Sequence, residues 1–214
     1  MTSAAETAHP PAIAFSNLTV TKADQVICQV RNATITRGST VGITGPNGSG
    51  KSTLLRVLAG LETDLAGTLQ IDIPLADRVF VHQSPYLFSG TVIENVEYGL
   101  KARSVSRPAR RKLAELWLKR FGIGHLASRS VNSLSGGEGR RTALARACVL
   151  EPELLLLDEP LADLDVAGAE FVAQALKELS DSTILLSSPM PLSHDLTEST
   201  IDLADASIDK RITE

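Results

Sequence analysis

The sequence predicts an α/β fold with a mainly parallel core sheet, an antiparallel β portion at its start and an inserted helical portion. Three observations carry this expectation. A strand-like run leads through a glycine-rich loop straight into a helical run; strand-like and helix-like segments alternate through the rest of the chain; and Leu154 to Leu157 is an unbroken aliphatic run, as a strand covered on both faces requires.

Taken in order, the first twelve residues are small and polar, end in Pro10 and Pro11, and read as a disordered lead-in. From Ile13 the β-branched residues crowd into Ile13 to Thr21 and Val26 to Thr36, separated by Lys22-Ala23-Asp24-Gln25, which predicts a hairpin. Thr40 to Thr44 is a short strand. Lys51 to Ala59 is a helix that Gly60 stops. Further strands are expected at Gly67 to Ile73, Arg78 to His82, Glu153 to Asp158 and Thr183 to Ser187. Further helices are expected at Thr91 to Leu100, Arg107 to Phe121, Gly136 to Leu150 and Val166 to Leu179. This order predicts one domain over residues 13–214 with a helical subdomain inserted at about 84–133.

The composition agrees with a globular chain. Its 214 residues are 43% hydrophobic and 21% charged, with a mean hydropathy of +0.06, values that exclude a disordered, collagen-like or coiled-coil polypeptide. The longest aliphatic run, Leu154 to Leu157, falls far short of the ~18 residues that span a bilayer. Met1 to Ala12 has neither a basic start nor an apolar stretch, so no cleavable signal is expected. Cys28 and Cys148 have no CxxC spacing, which favours a reducing compartment over a disulfide framework or a zinc site. A net charge of −4 argues against non-specific nucleic-acid binding. The charge is uneven, however: Lys101 to Arg120 carries +7, and Glu151 to Glu214 carries −12.

Chemistry enters with Gly45-Pro46-Asn47-Gly48-Ser49-Gly50-Lys51-Ser52, which satisfies the G-x-x-x-x-G-K-S/T phosphate-loop pattern and stands between a predicted strand and a predicted helix. Glycines there let backbone N–H groups turn toward phosphate oxygens, and the helix that starts at the loop adds its positive dipole end. Lys51 can reach the β/γ-phosphates and Ser52 can ligate Mg²⁺, with Thr53 counted among the nucleotide-binding residues. The loop therefore points to a nucleotide bound with Mg²⁺, in a chain of the P-loop NTPase class. Asp158 and Glu159 follow the run Leu154 to Leu157, at the carboxyl end of a strand, where ligands of parallel sheets sit. Asp158 suits a magnesium-side carboxylate and Glu159 a general base. Leu134-Ser135-Gly136-Gly137-Glu138 opens a helix: Ser135 and Glu138 form a capping box, and the two glycines leave the helix N-terminus bare enough for an anion to approach.

These three motifs, in this order, resemble the nucleotide-binding subunit of an ATP-binding-cassette (ABC) transporter over nearly the whole chain, from Ile13 to about Ala206. The resemblance implies a Walker A loop at Gly45 to Ser52 and a Q-loop at Gln83, which would touch Mg²⁺ and the attacking water. It implies an LSGGQ-like signature at Leu134 to Glu138, Walker B at Leu154 to Asp158, the catalytic glutamate at Glu159, and a D-loop with Asp165. It further implies a head-to-tail homodimer in which each signature acts in trans on the nucleotide of the other copy. The partner would be a separate transmembrane permease, with an extracytoplasmic substrate-binding protein in an import system, and the chain would lie on the inner face of the membrane. The stretches Val81 to Val92 and Asn95 to Leu100 resemble importer subunits for oxyanions such as tungstate, molybdate or phosphate, and also exporters. The basic insert, with Arg103, Arg107, Arg110, Arg111 and Lys112, reads either as a solvated helix face or as a face near cytoplasmic loops or headgroups.

Two departures from the family pattern stand out. Where the family stacks adenine on an aromatic, this chain has Thr21 or Lys22, so that base recognition is either weaker or supplied by Lys22 or Val26. Where the family has a switch histidine, this chain has Ser188 or Pro189, and the nearest histidine is His194, which either returns to the γ-phosphate or is a surface residue. The alternatives to a transporter subunit are a soluble ABC ATPase of an assembly or DNA-maintenance complex, and a nucleotide-binding regulatory subunit with impaired hydrolysis.

Overall fold

In the computed structural model, which describes residues 11–204 and the backbone of residues 207–210, two sheets and five helices pack around two apolar cores. The hairpin forms as β1 (Pro11–Lys22) and β2 (Gln25–Thr36). Its turn is tighter than the four residues expected: Lys22 pairs with Gln25, and only Ala23 and Asp24, both at positive φ, connect the strands. β3 (Thr40–Thr44) follows and leads through the glycine loop into α1 (Lys51–Leu58).

The next strand, β4 (Leu65–Ile71), starts and ends two residues earlier than the apolar pattern suggests and joins the hairpin sheet, in the order β2-β1-β4. Gly67 explains the register. Its φ is +88°, and a Cβ there would lie 2.2 Å from the Asn17 carbonyl oxygen, opposite an irregularity in β1. The lead-in expected over residues 1–12 lies outside the described residues as far as residue 10. Pro11 and Ala12 instead open β1, with Ala12 fully buried.

The core sheet continues with β5 (Arg78–Val81), β6 (Leu154–Leu157) and β7 (Thr183–Ser188). Two further strands, β8 (Ser199–Asp202) and β9 (Ser207–Lys210), are not anticipated by the sequence pattern. The order is β5-β6-β7-β3-β8-β9, parallel from β5 to β8, with β9 antiparallel at the edge. β7 thus lies between the strand that ends in the glycine loop and the strand that ends in the paired carboxylates. Between β5 and β6 run α2 (Val92–Ala102), α3 (Arg107–Arg120) and α4 (Gly136–Cys148); α5 (Val166–Lys177) follows β6.

β6 shows why its sequence is apolar throughout. Leu155 and Leu157 face one core, built with α2 to α5, while Leu154 and Leu156 face the other, built with α1 and the hairpin sheet. All four are fully buried. Leaving any one exposed would forfeit roughly 2 kcal/mol of transfer free energy. Trp117, with Phe121 and Leu118, anchors α3 in the first core, and the Arg120 guanidinium lies 4.5 Å over the Trp117 ring. Local polar groups cap two of the helix starts: Thr91 and Glu94 form a capping box on α2, and the Asp165 side chain accepts from the Gly168 N–H on α5.

Candidate functional site

The glycine loop and the carboxylates meet because β3, β7 and β6 are neighbours and all end on the same edge of the sheet. Gly50, the residue before α1, has φ +91°. A Cβ on it would lie 2.5 Å from the Cys28 Cβ and 2.6 Å from the Ile27 carbonyl oxygen, so the hairpin presses directly on the loop. Lys51 is 5% exposed, and its ammonium donates to the carbonyls of Gly45 at 2.8 Å and Pro46 at 3.0 Å. These carbonyls hold two of its three N–H donors beside the cleft. The Ser49 hydroxyl is buried with no hydrogen-bond partner among the described residues.

A cleft of about 500 Å³ opens here, lined by Asn47, Gly48 and Gly50 of the loop, by Lys51, Ser52 and Thr53 of α1, and by Ile27, Gln83 and Glu159. The first N–H groups of α1 have no intrahelical partner, so the helix end adds donors and partial positive charge to this edge.

On the opposite side, Asp158 is 3% exposed. Its Oδ1 accepts from the Ser52 hydroxyl at 3.0 Å and from the Ser187 hydroxyl at 2.8 Å. Glu159 departs from the strand with φ +48°, a left-handed conformation that costs on the order of 1 kcal/mol outside glycine. Three contacts hold it there. Its N–H donates to Ser187 Oγ at 2.9 Å, its carbonyl accepts from Arg140 Nη1 at 2.7 Å, and its Oε2 accepts from Gln83 Nε2 at 2.8 Å. Arg140 also reaches Asp163 at 3.4 Å.

Ser135 caps α4 as its spacing predicts. The Ser135 hydroxyl accepts from the Glu138 N–H at 3.3 Å, and Glu138 Oε2 accepts from the Ser135 N–H at 2.8 Å. A Cβ on Gly136 would meet nothing within 4 Å, and one on Gly137 would only touch Leu164 at 3.4 Å. The helix start is therefore open to solvent, while Leu134 packs against the first core. The Ser135 backbone N–H, as the main cause, holds the Glu138 carboxyl below its ordinary value of 4.5. A depressed folded-state value means that the contribution is present above the unfolded value and is lost as the pH falls through the folded one. Glu138→Gln is accordingly expected to flatten the acid limb of stability below pH 4.5 relative to the parent. Urea midpoints measured across that limb test this, and parallel curves would show that the box does not couple to folding.

Some expected groups are not brought together. His194 is exposed, lies in the turn closed by the Leu196 N–H to Ser193 carbonyl bond, and lines neither this cleft nor the smaller one beside it. Ser188 and Pro189, not His194, line that smaller cleft of about 200 Å³ together with Glu159. Neither residue suggested for meeting the base lines the main cleft. Lys22 donates to Glu62 at 2.7 Å, and Val26 is 58% exposed. Ile27 lines that cleft instead. Ser187, Arg140 and Ile27 are the site residues that sequence reasoning missed. Ser187 alone had a signal, as a hydroxyl at the end of a predicted core strand.

The profile of the ABC transporter family matches residues 28–162. The Fe(3+) ions import ATP-binding protein FbpC of Brucella suis biovar 1 (strain 1330) is 38% identical over 179 residues, covering 79% of this chain and 51% of that protein. The chain spans about half the length of the iron-import relatives it matches. The tungstate uptake system ATP-binding protein TupC of Peptoclostridium acidaminophilum is 34% identical over 182 residues, covering 81% of this chain and 85% of that protein. A solved dimer of an ATP-binding cassette in a post-hydrolysis state, bound to ADP and Pi, superposes with a TM-score of 0.76 at 29% identity, covering 92% of this chain and 98% of that one.

Proposed function

The chain belongs to the ABC transporter family, and we propose that it is the ATP-binding subunit of an importer that hydrolyses ATP to drive a separate membrane permease. The observation that carries the reading is the convergence on one cleft of the phosphate loop and the strand-end carboxylates, through the Ser52–Asp158 and Gln83–Glu159 hydrogen bonds.

The residues fit a hard cation. Ser52 donates its proton to Asp158, which leaves its oxygen lone pairs available, and both hydroxyls bonded to Asp158 meet Oδ1, leaving Oδ2 available. With the Gln83 amide oxygen this is an all-oxygen donor set, the kind that suits Mg²⁺. Among the described residues no three His, Cys, Asp or Glu side chains gather to hold a metal, so the set needs the oxygens of a phosphate ligand to be complete. When bound, Mg²⁺ supplies neutralisation of charge across the β- and γ-phosphates.

The chain's own groups do the rest. Lys51 and the α1 N-terminus bind the phosphates. Gln83 orients Glu159, and the Glu159 carboxylate accepts the proton of the attacking water. The open start of α4, with Ser135, Gly136 and Gly137, serves the nucleotide of a second copy in a head-to-tail homodimer. The dimeric state of the solved relative supports this arrangement.

The helical segment faces the permease. Tyr86 is 72% and Tyr98 55% exposed, and Phe88 stacks on Tyr98 at 4.3 Å. Beside them a groove of about 920 Å³ carries Lys101, Arg107, Arg110 and Arg111, where the +7 stretch lies. A cytoplasmic segment of the permease with acidic and apolar side chains complements it. No helix of the described residues is long and apolar enough to cross a membrane, so the chain would reach the inner face through that partner. The iron and tungstate uptake systems of the relatives favour import of a small inorganic ion, with a substrate-binding protein outside the membrane.

Expressed with its chromosomal neighbours, the chain is expected to co-purify with a polytopic membrane protein and to release phosphate from ATP only with Mg²⁺ present. Recovery with soluble partners alone would overturn the transporter reading.

A further inference from the structure

We propose that Ser187 is a positioning residue for hydrolysis, coupling the carboxylate of Asp158 to the backbone of Glu159; the proposal rests on the ATPase reading above. Ser187 lies near the carboxyl end of β7, with β3 on one side and β6 on the other. It pairs with Ile43 on the side of the phosphate loop, and its predecessor Leu186 pairs with Leu157 on the side of the carboxylates. It is 1% exposed, so its polar atom must be satisfied inside the protein.

The chemistry of its two partners fixes the direction of both bonds. An ionised carboxylate only accepts and a backbone N–H only donates. The single hydroxyl proton of Ser187 therefore goes to Asp158 Oδ1 at 2.8 Å, and a lone pair receives the Glu159 N–H at 2.9 Å. Oδ1 also takes the Ser52 hydroxyl at 3.0 Å. A continuous chain of hydrogen bonds thus runs from the first turn of α1, through the carboxylate on the magnesium side, to the main chain of the general base.

Each end of this chain has a reason to need the other. Glu159 sits at φ +48°, a conformation uncommon outside glycine, and the bond to its N–H fixes the peptide plane on the N-terminal side of that bend. The Gln83 and Arg140 contacts act on other atoms of the same residue, its side chain and its carbonyl. Ser187 is the contact that ties the placement of Glu159 to the placement of Asp158. A displacement of about 1 Å at a reacting group can lower a rate by about 100-fold, so loss of one buried hydroxyl is expected to register in turnover.

The test compares Ser187→Ala, Ser187→Thr and Ser187→Cys in the full chain. Ser187→Ala is expected to lower kcat about tenfold or more, to leave metal-free binding of a fluorescent ATP analogue within about twofold, and to raise the Mg²⁺ concentration needed for half-maximal turnover. It is also expected to accelerate amide hydrogen exchange at Glu159, a readout independent of turnover. Ser187→Thr keeps the hydroxyl and is expected to recover most of the rate. Ser187→Cys, close in size but a weak donor, is expected to behave like the alanine variant, and it carries the comparison if that variant does not fold.

The proposal is overturned if the alanine or cysteine variant turns over ATP like an active parent, if Glu159 exchange is unchanged, or if threonine restores nothing. An equal loss of metal-free nucleotide binding and of turnover would also overturn it, since that is the signature of general damage. A parent chain that fails to hydrolyse ATP with Mg²⁺ would instead overturn the ATPase reading, and the exchange result would still report whether the hydrogen bond exists.

Discussion

Glu159→Gln is expected to lower ATP turnover by about 10² to 10⁴-fold, the range a positioned general base contributes, while ATP binding stays within a few-fold of the parent. The substitution is nearly isosteric, and two of the three contacts that hold Glu159 in place, from Ser187 and Arg140, go to its backbone and survive. The third also persists in kind, because a glutamine carbonyl oxygen can accept from Gln83 Nε2. What is lost is the carboxylate proposed to take a proton from water. Two copies closed over ATP would then have no route to the product state, so the variant is expected to accumulate as an ATP-dependent dimer. Phosphate release and size-exclusion chromatography with ATP and Mg²⁺ measure both effects. Parent-like turnover in this variant would remove Glu159 from the mechanism, and a monomer under all conditions would count against the shared site.

The second large effect is expected from Gly50→Ala. Two causes add: a side chain forced to φ +91°, and a Cβ placed 2.5 Å from the Cys28 Cβ and 2.6 Å from the Ile27 carbonyl oxygen. Backbone strain of about 1 kcal/mol and overpacking of about 1–3 kcal/mol together predict a loss of about 3 kcal/mol in unfolding free energy. ATP affinity is expected to fall at least about tenfold, because the same clash displaces the loop from the phosphates. Gly48→Ala is the internal control. Its φ is +83°, but a Cβ there meets nothing within 4 Å, so only the strain of about 1 kcal/mol remains. Urea unfolding and nucleotide titration of the two variants should separate them clearly. Equal losses would show that the hairpin does not brace the loop.

Local chemistry makes much of this site legible in the sequence. The phosphate loop is a contiguous motif whose strand and helix flanks are both encoded beside it, and β3 and α1 form where that pattern puts them. The Ser135–Glu138 box needs only three residues of separation, and it forms. The apolar run of β6 signals burial on both faces, and its leucines divide between two cores.

What the sequence pattern does not reveal is set by partners far away in the chain. Ser187 meets Asp158 across 29 residues and Arg140 meets Glu159 across 19, distances over which a sequence pattern carries no register. β8 is not foreseen because Ser-Thr-Ile-Asp has one strongly apolar residue and draws its strand character from pairing with β3. β4 is shifted by two residues because its ends are set by pairing with β1, from Leu65 opposite Val20 to Ile71 opposite Ile13, not by its own apolar pattern. His194 follows the same rule in reverse. A histidine close in sequence to the right strand end is exposed on a turn outside the cleft, and residue type without placement carries no weight.

Arg140 has one more implication. It grows from α4, the helix whose open start would serve a neighbour's nucleotide, and its guanidinium grips the carbonyl of Glu159, which would serve its own. Any tilt of that helix on engaging a second copy would pass through this 2.7 Å contact to Glu159 of the first. The two chambers of such a pair would fire in phase, so that turnover would rise more steeply than linearly with ATP concentration: a mechanical escapement made from one arginine.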